Sequence, residues 1–213
     1  MRTALTPVFR QVHQNDKGKD MVSSEFMSMA LLHSTVPELV VKPIGWGAYE
    51  AEKDVYFFLC HFVELKKNDP PPVDMFADLI VEMHNKGEVP GGKFGLTYAG
   101  YSGSKPQVFP VCDTWEECFT RGLTGTFGAE EATHGSDEEF RELRKQLMEK
   151  VIPRLLRPLE TEGRKIVPTL VHGDLWDGNV AINAATGTPV IYDPAPLYAH
   201  NECGYPVWSH SRY

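Results

Sequence analysis

His172-Gly173-Asp174-Leu175-Trp176-Asp177-Gly178-Asn179 joins a short apolar run at 166–171 to an alternating segment at 180–183. Ala185-Thr186-Gly187 then supplies a turn, and 189–192 returns as a second apolar segment that ends on Asp193. Two short alternating runs around a Gly-containing turn read as an antiparallel hairpin. Such pairing sets the start of the first strand beside the end of the second. Asn179 and Asp193 are therefore expected side by side, with Asp174 on the loop that delivers Asn179 to the same edge.

The residue types suit one chemistry. Phosphoryl transfer needs a carboxylate near the attacking hydroxyl and oxygen ligands that hold magnesium against the nucleotide phosphates. The spacing H-x-D-x-x-x-x-N, followed by a hairpin and an Asp, is the kinase order of base, metal ligand and metal ligand. An amide oxygen and a carboxylate suit magnesium, whereas His and thiolate clusters suit zinc. His172 is read as bracing the loop backbone. The plainer alternative is a structural loop with capped turns.

Outward from this segment the chain reads as β-rich first and helical later. Residues 8–12 form a strand candidate, 13–18 a polar turn, and 21–33 a helix with Ser23 or Ser24 as its cap. Pro37 stops that helix, Pro43, Gly45 and Gly47 are read as turn residues, and 55–65 is a strongly apolar run. Residues 69–72 read as a linker, 73–84 as an amphipathic helix, and 87–110 as a long ordered loop. Helices are expected at 115–123 and 137–156, the latter with Ser136 as cap and Glu139 completing a capping box. Arg154, Arg157 and Gly163 fit the end of that helix. The predicted fold class is α+β, with a reduced β-rich small part at 1–68 and a mainly helical large part at 69–213 carrying the hairpin.

Composition narrows the setting. Of 213 residues, 42% are apolar, and 29 acidic against 21 basic residues give a net charge of −8. That balance argues against a nucleic-acid surface, which needs clustered Lys and Arg. No apolar run is long enough to span a membrane, and the first ten residues carry no leader pattern. Cys60, Cys112, Cys118 and Cys203 lack metal-type pairing and fit reduced thiols, so a cytoplasmic location is expected.

H-G-D-L-W-D-G-N, V-I-Y-D-P-A and Y-A-H-N-E resemble the fructosamine/ketosamine-3-kinase family of the protein-kinase-like fold. So do S-E-F-M-S-M, P-I-G-W-G-A-Y, F-F-L-C-H-F, G-K-F-G, W-E-E-C-F and V-I-P-R-L-L-R-P-L-E. The likeness covers about 19–208 and is nearest to the family's fungal, protein-ribulosamine 3-kinase-like members. It implies a two-lobe kinase fold and ATP- and Mg2+-dependent phosphorylation of the sugar 3-hydroxyl of ketosamines, which releases the amine and so deglycates. It implies a glycated protein or small ketosamine as partner, with the sugar and the oligomeric state left open. By position, Asp174 matches the catalytic base, and Asn179 and Asp193 match the magnesium ligands. Glu25 matches the helix glutamate that pairs with a phosphate-binding lysine. Phe62 and Val63 fall in the lobe-linking segment whose backbone would bond adenine.

The chain departs from that pattern at its front. Its first glycine is Gly18, so no Gly-rich phosphate loop precedes Glu25, and residues 8–12 hold Arg10 where a lysine is expected. His61 stands where the family tends to have an acidic residue. The expectation is a chain incomplete at both ends relative to the family. Two alternatives stay open: a non-catalytic relic or binding module, and another small-molecule kinase of aminoglycoside- or choline-kinase type.

Overall fold

The computed structural model describes residues 7–66, 70–87 and 89–204. The expected boundary at 68/69, the first linker residue Asp69, the first six residues and the family likeness at 205–208 lie outside them.

The chain opens with strand β1 (Val8–Gln14) and passes without a turn into helix α1 (Asn15–Thr35). The expected polar turn at 13–18 is thus replaced by strand and helix. Asn15 makes the corner: it adopts φ 65°, and its Oδ1 accepts the Gly18 amide at 3.3 Å. Asn tolerates the left-handed region and satisfies an early helix N–H. Ser23 and Ser24 are consequently not caps. They sit inside the helix, where Ser23 Oγ donates to the Asp20 carbonyl and Ser24 Oγ reaches the Ala99 carbonyl at 2.6 Å.

Strand β2 (Pro43–Ala48) follows, so Pro43, Gly45 and Gly47 are strand residues and not turns. An edge strand tolerates Pro, and a register shift between Pro43 and Gly45 accommodates it here. Strand β3 (Val55–His61) lies between the other two in the order β1-β3-β2, both pairings antiparallel. Helix α1 packs on this sheet through Val22, Met29 and Leu32.

Strand β4 (Leu65–Lys66) leaves the small sheet and pairs with the later strand at 180–183. Helix α2 (Val73–Lys86) matches the expected amphipathic helix and buries Ile80 and Met83. The expected loop at 87–110 instead contains a hairpin, β5 (Gly100–Ser102) and β6 (Lys105–Gln107), turning at Gly103 with φ 57°. Three-residue strands carry too little alternation to register as a pattern.

Helix α3 (Trp115–His134) runs well beyond the expected 115–123, and Thr114 caps it by accepting the Glu117 amide. The helix expected at 137–156 is divided into α4 (Glu138–Gln146), a π turn (Leu147–Val151) and α5 (Ile152–Leu156). Pro153 lacks the N–H that a regular α-helix would direct at Glu149, so the ladder slips by one residue just upstream. Asp137, not Ser136, is the cap, its Oδ1 accepting the Phe140 amide at 2.7 Å. Arg157 pairs with Glu116 through bonds of 3.0 and 2.7 Å.

Strand β7 (Thr169–Val171) is shorter than the expected 166–171 and pairs with β10 (Leu197–Ala199). Between them lies the hairpin β8 (Val180–Asn183) and β9 (Pro189–Ile191), in the expected antiparallel arrangement. One apolar core joins early and late elements: Val22, Leu32 and Phe58 pack in one cluster with Ile80, Leu170 and Ile191. The Ile191 amide also donates to the Leu39 carbonyl at 2.9 Å.

Candidate active site

The loop at 172–179 is held from within. His172 is buried; its Nε2 lies 3.0 Å from the Tyr192 carbonyl and its Nδ1 accepts the Asp174 amide at 3.3 Å. One nitrogen donates and the other accepts, which defines a neutral ring. Burial pushes its pKa down to about 4. Gly173 has φ 79°, and a Cβ there would stand 1.8 Å from the Ala195 carbonyl oxygen, so only glycine permits the loop to close on the segment after Asp193.

Asn179, at the end of a 3-10 turn (Asp177–Asn179), gathers the site. Its Nδ2 donates to the Asp174 carbonyl at 2.8 Å, to Asp174 Oδ2 at 3.3 Å and to the Asp193 carbonyl at 3.4 Å. With the nitrogen committed to protein acceptors, Oδ1 is the atom left for a cation. The Tyr192 amide donates to the Asn179 carbonyl at 3.2 Å, which sets Asn179 beside Asp193. Asp193 has φ 59°, a left-handed conformation uncommon outside glycine.

Three carboxyl groups, Glu25, Asp174 and Asp193, act on one another here, and none of them makes a salt bridge among the described residues. Burial raises Asp174, which Asp193 raises further, while hydrogen bonds from Ser102 and Asn179 hold it down. Burial also raises Asp193, against the nearby His13. Glu25 is pushed up to about 8, first by burial and then by Asp193. Carboxylates that raise one another form an oxygen-rich, electron-dense donor set, which fits a hard divalent cation. No group of three or more His, Cys, Asp or Glu side chains forms a metal cluster among the described residues. Magnesium commonly takes one or two protein ligands and completes its shell with phosphate and water.

A cavity of about 240 Å³ opens beside these groups, lined by Gln11, His13, Met21, Val22, Glu25, Tyr101, Gly103 and Asp193. The β1 register explains the lining. Gln11 and His13 alternate onto the face toward Glu25, whereas Arg10 turns to the other face and lies 5.9 Å over the Tyr49 ring. Arg10, the cation singled out in the sequence, is thus directed away, and Gln11 stands opposite Glu25. Glu25 makes no salt bridge among the described residues.

Glu25, Asp174, Asn179 and Asp193 are brought together; Phe62 and Val63 are not among the cavity's lining residues. They lie where the small sheet passes to β4, and the Phe62 amide donates to the Pro7 carbonyl at 3.1 Å. Ser102, on the tip of the β5–β6 hairpin, escaped the sequence reading, and its Oγ lies 3.4 Å from Asp174 Oδ2. Gly103 between Ser102 and Lys105 was the available turn signal. Trp176 lies over Gly178, and His200 accepts the Glu202 amide in a local turn.

A family model for fructosamine kinase matches residues 1–208. Mouse ketosamine-3-kinase is 30% identical, the alignment covering 92% of this chain and 67% of the mouse protein. A chloroplastic protein-ribulosamine 3-kinase of Oryza sativa subsp. japonica is 32% identical over 88% of this chain and 52% of its own length. A Thermobifida fusca crystal structure assigned as a fructosamine-3-kinase superposes with a TM-score of 0.68 at 25% identity, over 92% of this chain and 63% of that one. A second, from Haemophilus somnus, also has a TM-score of 0.68, and at 20% identity speaks for the fold alone. The chain spans about half to two thirds of these relatives, and its fold is the protein-kinase-like α+β fold they share.

Proposed function

The chain belongs to the fructosamine kinase family, and on that footing we propose that it phosphorylates the sugar 3-hydroxyl of ketosamines with ATP. The observation that carries this reading is the Asn179 amide, which ties Asp174 and Asp193 into one site. Asp174 takes the proton of the acceptor hydroxyl as its oxygen attacks the γ-phosphorus, and ADP departs. Asn179 Oδ1 and the Asp193 carboxylate would hold Mg2+. That ion supplies charge neutralisation on the phosphates and relieves the mutual repulsion of the acidic groups. The backbone at Phe62 and Val63 is assigned to the adenine side. Glu25 borders the phosphate cleft, where Gln11 provides an amide in place of a cation.

The acceptor is a ketosamine on a protein or a small amine, and the 3-phosphate product breaks down to free the amine. Four free thiols suit a reducing, cytoplasmic setting. Among the described residues no helix is long and apolar enough to cross a membrane.

A second reading, a nucleotide-free binding module descended from a kinase, is favoured by a cavity that, among the described residues, has no Lys or Arg lining it with Glu25. Comparing ADP release from Mg-ATP with a ketosamine, choline and an aminoglycoside tests both. Ketosamine-dependent turnover is expected. Preference for another acceptor would overturn the ketosamine assignment, and absence of Mg-ATP binding by calorimetry would favour the binding module.

A further inference from the structure

The β5–β6 hairpin presents a serine to the catalytic carboxylate, and it is fastened in that position from two sides. On one side Ser24 of α1 donates to the Ala99 carbonyl at 2.6 Å, just before β5. On the other, Gly100 packs so closely on the segment after Asp193 that a Cβ would lie 2.9 Å from the Ala195 Cα. Between these anchors Ser102 Oγ stands 3.4 Å from Asp174 Oδ2. Its neighbours Tyr101 and Gly103 line the cavity together with Glu25 and Asp193. The serine hydroxyl therefore stands beside the base, on a hairpin whose flanking residues line the cleft.

In phosphoryl transfer the hydroxyl that reaches the base is the one that becomes the nucleophile. We propose that Ser102 is a built-in acceptor: in the absence of ketosamine the chain phosphorylates Ser102 in cis, and ketosamine binding displaces this hydroxyl from Asp174. In the step, Asp174 takes the Ser102 Oγ proton, an Oγ–P bond forms to the γ-phosphorus of ATP, and the bond to ADP breaks. The phosphorylated serine would then set added negative charge beside Asp174 and Asp193, opposing acceptor binding and marking an idle enzyme.

The inference rests on the phosphotransfer reading above, and the two are separated by following both acceptors at once. The full chain is incubated with Mg-ATP, with and without a synthetic ketosamine. Phosphate on Ser102 is located by peptide mass spectrometry while ketosamine phosphate is measured in parallel. Expected are one phosphoryl group on Ser102 at a fractional rate independent of protein concentration, suppression by ketosamine, and loss of the label in Ser102→Ala and Asp174→Asn. Ser102→Thr keeps a hydroxyl and should retain labelling, which guards against a misfolded Ser102→Ala. Ketosamine turnover with no phosphate on Ser102 would overturn the inference and leave the kinase reading intact. Absence of both products would overturn both. Equal labelling of Asp174→Asn would also overturn it, since the phosphate would then come from elsewhere. A readout free of nucleotide is calorimetric binding of the ketosamine to Ser102→Glu. The added carboxylate should weaken binding by about tenfold or more through repulsion and occlusion at Asp174; unchanged affinity would place Ser102 outside the acceptor's position and overturn the proposal.

Discussion

Glu25 and Gly173 illustrate how single residues pay unequal physical penalties at this site. The Glu25 pKa lies near 8 in the folded chain against 4.5 for the free group. A raised carboxyl pKa means the folded state holds the proton more tightly, so stability falls as pH rises from about 4.5 through 8. Glu25→Gln should remove that slope and be more stable than the parent at pH 8 by on the order of 3 kcal/mol. Urea unfolding across pH checks it; a parallel slope in the variant would contradict it. Gly173→Ala should disrupt the loop, because neither its φ nor the Ala195 carbonyl leaves room for a methyl group. A loss of roughly 2–4 kcal/mol is expected in the same assay. The meeting of Asp174, Asn179 and Asp193 was legible in the sequence because eight consecutive residues hold the first two and the hairpin returns the third to them. The cavity wall was not: whether Arg10 or Gln11 faces Glu25 depends on strand register, which a one-residue difference reverses.

At the scale of elements, the long periodic segments were legible, whereas their ends and the short strands were not. Helix α2 and the β8–β9 hairpin follow directly from apolar spacing. The start of α1 did not, because Asn15 caps it from a left-handed corner eight residues before the serines that resemble caps. The β5–β6 hairpin was hidden inside a Gly- and Pro-rich stretch, and with it the serine that reaches Asp174. Distant side chains can also govern an element: the Glu160 carboxylate accepts the Trp115 amide at 3.0 and 2.9 Å and the Glu116 amide at 3.2 Å. Charge and hydrogen bonding at a helix N-terminus reinforce one another. Glu160→Ala should therefore cost roughly 1–3 kcal/mol, measured by thermal unfolding, while Asp137→Ala at the more exposed start of α4 should cost about 1 kcal/mol. Equal costs would contradict the distinction.

For the molecule as a whole, the shift between β-rich and helical patterning raised the expectation of two parts. The shared core was not legible, because it depends on contacts between residues far apart in sequence. Leu39 is buried in that core and its carbonyl accepts the Ile191 amide at 2.9 Å, joining the segment before β2 to the β8–β9 hairpin. A single calorimetric unfolding transition is expected for both parts, with Leu39→Ala lowering stability by roughly 2–5 kcal/mol without splitting it. Two separable transitions would show that the parts fold independently. The joined core also keeps Glu25 of α1 within electrostatic reach of Asp193, just beyond β9. Phosphate transfer from this assembled site to ketosamines remains the proposal, and phosphorus NMR of a synthetic ketosamine incubated with Mg-ATP would reveal it. A new sugar 3-phosphate resonance is expected, its rate of appearance falling roughly 10²–10⁴-fold with Asp174→Asn; folded protein that binds ketosamine and yields no such resonance would overturn the assignment.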